Sequence, residues 1–233
     1  MKAELAELGV PYEPTKGKGT KGFKVANIWI GEQYLEIPWM LNKEGGGWKP
    51  EWVEKYHSGK RGIFGLCFMV DNVDKMKGEL VSRGVEVSGP ERITFTMLRF
   101  FKKSLPFRTL YTREIPGTDL QFMFLEMDSQ EKYEFTKKYF MHPNSEKNQV
   151  NAINRAVIEL QESEEVKAFI SSVFPNCVET EIGRSFIMKD TTLDFHFKKE
   201  KELKVHLYAK TTNSNLPLGT TIEVENVTLQ LTQ

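Results

Sequence analysis

The chain has 233 residues, long enough to bury a substantial core as one large domain or two small ones. Its 32 basic and 32 acidic residues cancel, so no global field recruits nucleic acid or an anionic membrane. Hydrophobic residues at 39% and charged residues at 27% are ordinary for a soluble globular protein, and the longest apolar stretch, Ile63 to Val70, is interrupted by Gly65 and too short to span a bilayer.

Met1 to Glu7 carries acids where a secretion signal needs an apolar run, and reads instead as a short helix ended by Gly9. Strands are expected at Phe23 to Ile30 and Gln33 to Pro38, separated by Gly31-Glu32. Two glycine-rich stretches flank them. Gly17-Lys18-Gly19-Thr20-Lys21-Gly22 lacks the spacing of a phosphate loop and precedes a strand, so it reads as a loop at a pocket mouth, as does Glu44-Gly45-Gly46-Gly47-Trp48.

A strand at Gly62 to Val70 then leads into Asn72 as helix cap, with Val73, Met76 and Leu80 on one helical face. Further strands are expected at Thr94 to Phe101, Phe107 to Arg113 and Leu120 to Met127, with Pro116-Gly117 as a turn. After a connector helix at Ser129 to Phe140, Val150 to Leu160 reads as a strand. Ser163 to Phe174 reads as a helix with Val166, Phe169, Ile170 and Val173 at i, i+3, i+4 and i+7. Strands follow at Ser185 to Lys189, Thr192 to Phe197, Leu203 to Ala209 and Thr221 to Leu231.

Sliding the chain against itself exposes a duplication. Met1 to Val10 aligns with Met76 to Val85, sharing Met, Lys, Glu, Leu, Gly and Val in order. Tyr34-Leu35-Glu36-Ile37 matches Phe124-Leu125-Glu126-Met127, and the longer second copy holds an insertion within Ile93 to Pro106. Copy two reads βαβββ, copy one starts inside its helix, and 148–233 repeats the order without clear identity.

A βαβββ unit used in pairs, with Glu near the end of its last strand, resembles the vicinal oxygen chelate superfamily, and within it the glyoxalase-like domain. The resemblance rests on Gly65-Leu66-Cys67-Phe68-Met69-Val70-Asp71-Asn72-Val73-Asp74 and Arg83-Gly84-Val85-Glu86-Val87. It also rests on Gly31-Glu32-Gln33-Tyr34-Leu35-Glu36-Ile37, and on Phe124-Leu125-Glu126-Met127-Asp128 followed by His142-Pro143-Asn144. It implies an α+β fold whose repeated modules curl mixed sheets into a half-open barrel, the first module lacking its opening strand. The modules would span 1–60 and 61–128, with a connector over 129–147 and a third, degenerate module over 148–233.

In proteins it resembles, the barrel encloses a divalent metal held from the first and last strand of each module. The closing positions map onto Glu36 and Glu126. The opening position of copy two, there a histidine, falls at Gly65, and that of copy one has no counterpart. Two carboxylates leave a divalent ion weakly held or absent, so no tightly bound transition metal is expected. The same pair reads equally as general bases, since converging carboxylates raise one pKa, or as solvated strand residues.

Arg108 is the candidate for an anionic substrate group, with Arg99, Lys102 and Lys103 beside it as a solvated basic face. Trp29, Trp39 and Phe124 are candidates for the pocket wall, with Tyr34 and Phe122 equally core or wall. Cys67 and Cys177 read as reduced thiols of a cytoplasmic protein. His57, His142, His196 and His206 show no metal-ligand spacing.

Three functions stay open: a lyase-, isomerase- or dioxygenase-type enzyme acting on a small oxygenated molecule, neutral or anionic; a pocket that binds or sequesters such a molecule without chemistry; and a structural dimerisation module. A homodimer is compatible with each. Because Met1 aligns with mid-helix Met76, a further strand ahead of Met1 is expected in the native polypeptide, carrying the missing first ligand.

Overall fold

The computed structural model describes residues 2–10, 18–19, 21–97, 101–140 and 149–233. Helix α1 (Lys2–Glu7) closes with Val10 N donating to Leu5 O, Gly9 taking the left-handed conformation (φ 82°) that a side chain resists. Strands β1 (Lys18–Gly19), β2 (Phe23–Ile30) and β3 (Gln33–Met40) pair antiparallel in that order. Helix α2 (Pro50–His57) follows, with proline in its first turn, where a missing N–H costs nothing.

The second unit matches the βαβββ expectation. Strand β4 (Gly65–Met69) leads into α3 (Val73–Ser82), whose cap Asn72 accepts from Lys75 N at 2.8 Å. Strands β5 (Val87–Glu91), β6 (Thr94–Met97), β7 (Phe101–Ser104), β8 (Phe107–Glu114) and β9 (Gln121–Met127) complete it, with sheet order β4-β9-β8-β5. Two details differ from the sequence reading. The strand expected over 94–101 is instead a separate β6–β7 hairpin whose inserted residues pair with one another. Its place in the sheet belongs to β5, hidden in the sequence by Gly89-Pro90; as an edge strand it tolerates proline.

Helix α4 (Gln130–Phe140) precedes β10 (Val150–Gln161) and α5 (Glu164–Val173), capped by Ser163 accepting from Val166 N at 3.1 Å. Strands β11 (Val178–Thr180), β12 (Gly183–Met188), β13 (Thr191–Lys198), β14 (Lys204–Thr211), β15 (Thr221–Val224) and β16 (Val227–Thr232) build a seven-stranded sheet ordered β11-β12-β13-β10-β14-β16-β15. Its β10-β13-β12-β11 portion repeats the order β4-β9-β8-β5, with the opening strand parallel to the closing one in both. Strands β14, β16 and β15 start the pattern again without a helix, β14 running parallel to β16.

The fold is therefore α+β with curved mixed sheets that do not close into a barrel. No described strand pairs with the second edge of β3 or of β4, so the two N-terminal sheets do not join.

The main core gathers Leu5 of α1 and Leu8 just after it, Val73 and Leu80 of α3, and Val166, Phe169, Ile170 and Val173 of α5 against the sheets. The last four lie at the spacing that puts one helical stripe inside. Phe122 packs edge-on to Phe174 at 5.0 Å and to Phe195 at 6.2 Å. A second core holds Phe23, Val25, Met40 and Val53. The first sheet is tied to the third by Gln33, whose amide donates to Ile153 O at 3.1 Å and accepts from Ile153 N at 2.6 Å.

Candidate small-molecule site

Strict alternation along β3 sends Leu35 and Ile37 to the main core and Tyr34 and Glu36 to the opposite face. Their cross-strand partners on β2 are Trp29 for Tyr34 and Asn27 for Glu36, and the Trp29 and Tyr34 rings meet at 4.4 Å. On β4, Leu66 and Phe68 face the core while Gly65, Cys67 and Met69 turn away from it. Across β9 and β8 that second face continues through Gln121, Met123 and Tyr111.

Helix α2 reaches onto this face. The Trp52 indole Nε1 donates to Gln121 Oε1 at 2.9 Å, and its ring stands edge-on to Tyr111 at 6.2 Å. A Cβ on Gly65 would lie 2.7 Å from the indole and 2.8 Å from Met123 Sδ. The space above Gly65 is thus filled by tryptophan, and glycine is the residue that admits it.

Glu36, Tyr34 and Cys67 are exposed to water on this face, hereafter the trough, while protein atoms crowd around each. Glu36 makes no hydrogen bond or ion pair with any described residue. Desolvation alone pushes its carboxyl up to about 7, the range where a group both takes and gives protons near neutrality. Burial, then the charge of Glu36, pushes the Cys67 thiol up to about 12, which leaves it unreactive as a nucleophile. Burial first, then Glu36 and Cys67, raises the Tyr34 hydroxyl, keeping it a neutral donor. Tyr111 is raised by burial, then by Glu91 and Cys67, partly offset by a hydrogen bond with Thr109. These mutual influences gather Tyr34 and Glu36 of the first sheet with Cys67 and Tyr111 of the second. Beside them, Asn27 Oδ1 is a buried acceptor with no donor among the described residues.

Glu126 does not join this group. Its carboxylate accepts from Val73 N, at the start of α3, at 3.1 Å and from Arg108 Nη2 at 2.7 Å. It shares its face of β9 with Phe122 and Phe124, both in the main core. The Leu-Glu match in the sequence is therefore one residue out of register with the pleat, and a one-residue slip reverses the face. The expected convergence of Glu36 and Glu126 is corrected accordingly.

Arg108 is corrected with it, because its guanidinium pairs with Asp74 at 2.8 Å and with Glu126 instead of facing the trough. Phe124 is core, 3% exposed. Trp39 is 53% exposed and shares the strand parity of Leu35 and Ile37. Of the aromatic residues expected as core or wall, Trp29 and Tyr34 stand with Glu36.

The donors that the described residues bring to this face do not fit a divalent metal. Gly65 offers no ligand and is covered by Trp52, and Glu126 is turned away. Among the described residues no three of His, Cys, Asp and Glu are grouped to hold an ion. His57 contacts Asn42 O at 3.0 Å, His206 Nδ1 lies 2.8 Å from Thr228 Oγ1, and His142 lies outside the described residues. So do Arg99, Gly17 and Thr20, while Gly45 to Gly47 forms a single 3-10 turn packed on Val53. Sequence reasoning missed Asn27, Tyr111, Trp52 and Gln121 as trough residues. Strand parity counted from Glu36 points to Asn27, but the others need the packing of α2 and of the second sheet.

A family model described as a glyoxalase-like domain matches residues 2–174. No curated protein sequence matches. Among solved structures, a hypothetical protein from Staphylococcus aureus superposes with TM-score 0.66 at 16% identity, covering 91% of this chain and 85% of that one. A triple mutant of 4-hydroxymandelate synthase from Streptomyces coelicolor gives TM-score 0.49 at 12% identity, covering 90% of this chain and 67% of that one.

Proposed function

The chain belongs to the glyoxalase-like domain family, and from that premise we propose that it binds a small oxygenated molecule in the trough beside Glu36, with Glu36 as the proton-transferring group. The observation that carries this reading is a carboxylate unpaired among the described residues, set on the face of the Trp29–Tyr34 ring pair, its proton affinity raised toward neutrality by desolvation. A carbonyl or hydroxyl compound entering there meets Glu36 as proton acceptor, and Tyr34 as a neutral donor to a ligand oxygen. Cys67 stays a thiol and shapes the floor. No step runs through a metal, because the residues present do not fit one.

The division into modules over 1–60, 61–128 and 148–233, and a cytoplasmic setting that keeps Cys67 and Cys177 reduced, belong to the same proposal. A second reading, binding without chemistry, is favoured by one specific feature: Trp52 fills the space above Gly65 and leaves Glu36 as the sole carboxylate of the original pair on this face.

The test is a thermal-shift screen of small carbonyl and hydroxyl compounds on the parent protein and on Glu36→Gln, with the Glu36 carboxyl followed by carbon-13 NMR. A specific ligand stabilises the folded state by mass action. Stabilisation confined to the parent, with a shifted Glu36 resonance, supports the site. If compounds stabilise both proteins equally and leave the resonance in place, the site is wrong. Proton exchange at the substrate separates catalysis from binding.

A further inference from the structure

The trough carries one carboxylate and one acceptor that have no partner among the described residues. Glu36 is an unpaired carboxylate, and Asn27 Oδ1 opposite it on β2 lacks a donor. The carboxylate of Glu91 on β5 acts on Tyr111 from the far side. Between them stand aromatic faces: the Trp29–Tyr34 pair on the first sheet, and Tyr111 with Trp52 on the second. Aromatic faces carry negative potential and attract cations, most strongly where water is partly excluded.

The wall already holds one such cation. The Lys49 ammonium sits 4.4 Å from the centroid of the Tyr111 ring, with Glu51 as its carboxylate partner at 3.3 Å. No equivalent cation among the described residues pairs with Glu36. Arg108, the arginine expected to attract an anion, is spent on Asp74 and Glu126 at the start of α3.

We propose that the trough takes its ligand by a positively charged nitrogen, an organic ammonium group set between the Glu36 carboxylate and the rings of Tyr34 and Trp29. This rests on the small-molecule reading above and names the chemical class of the ligand. An ammonium gives Glu36 the counter-charge it lacks. An anion would meet Glu36 and Glu91 and find no free cation beside Glu36 to receive it. A neutral isostere would gain only the contact with the rings.

The experiment compares choline, its uncharged carbon isostere 3,3-dimethylbutan-1-ol, and propionate, by calorimetry and thermal shift on the full chain. Choline is expected to bind at least about tenfold more tightly than the isostere, the size of one partly desolvated cation–π contact, and propionate not to bind. In Glu36→Gln the preference should collapse to near parity. Should that variant fail to fold, displacement of the Glu36 carboxyl resonance by choline in the parent protein gives the same answer.

Equal binding of choline and isostere, or choline binding that leaves Glu36 undisturbed, overturns the charge class. If neutral compounds alone perturb Glu36, the trough remains a small-molecule site and only the ammonium proposal falls. If no compound of any charge perturbs Glu36, both fall together.

Discussion

The indole N–H of Trp52 and the side-chain carbonyl of Gln121 are joined by a buried hydrogen bond of 2.9 Å, which fixes α2 on the Gly65 face of the second sheet. The ring it anchors lies where a Cβ on Gly65 would need to be. Trp52→Ala removes a large buried ring and should cost about 3–5 kcal/mol. Gly65→Ala alone should also destabilise, since the new methyl meets the indole at 2.7 Å. In the double variant the two losses should be strongly less than additive, because the first substitution empties the space the second fills. Urea denaturation of the four proteins checks this, and simple additivity would refute the packing relation.

Glu36 makes folding pH-dependent in a direction opposite to that of a salt-bridged acid. Its folded-state pKa of about 7 lies above the ordinary 4.5. Between those values the folded state binds more protons than the unfolded state. The stability associated with this group is full below about 4.5 and is lost as pH rises through about 7. Glu36→Gln should therefore remain flat where the parent loses stability across that interval. Denaturation midpoints of both proteins from pH 4 to 8 give the comparison, and parallel curves would count against the perturbed carboxyl.

Asp74, Arg108 and Glu126 form an ion-paired chain at the start of α3. Glu126 holds the start of α3 through Val73 N and neutralises Arg108 on the same face. Loss of its carboxylate leaves a helix N–H and a guanidinium without their acceptor. Glu126→Ala should cost about 1–3 kcal/mol, with a measurable coupling to Arg108→Ala in a double-mutant cycle. Ligand affinity at the trough should stay unchanged. A loss of affinity with unaltered stability would instead bring Glu126 back into the site.

Gln33 binds both backbone groups of Ile153 with one side-chain amide, imitating a strand neighbour across the two sheets, and reaches Thr191 of β13 as well. Gln33→Ala leaves that N–H and carbonyl without this partner and should cost about 1–3 kcal/mol. Hydrogen exchange should accelerate at Ile153 and leave the middle of β10 protected. Uniform acceleration along β10 would show that the contact is global in effect and not a local tie.

Much of the architecture was legible in the chain. The match between Met1–Val10 and Met76–Val85 announced two related helices, and both pack into one core through Leu5, Leu8, Val73 and Leu80. The spacing of Val166, Phe169, Ile170 and Val173 described the buried stripe of α5 as it stands. Such features are local: helical period, capping residues and strand alternation act over a few residues, so a linear sequence displays them. The β5 strand escaped because Gly89-Pro90 carries a turn signal, which an edge position tolerates.

The site was legible only in part, and the failure has a single physical root. Side chains alternate along a strand with period two, so the match of Leu35-Glu36 with Leu125-Glu126 left undecided which face each glutamate takes. Hydrogen bonds from Val73 and Arg108 put Glu126 on the helix-covered side. Glu36 stayed on the trough with no partner. Nor does any local rule foretell that Trp52, from a helix between the modules, would come to lie over Gly65, or that Tyr111 would sit near Glu36. The sequence alone determined the elements and their repetition. Which carboxylate stays without a partner among the described residues, and which aromatic rings stand beside it, was decided by contacts between residues far apart in the chain.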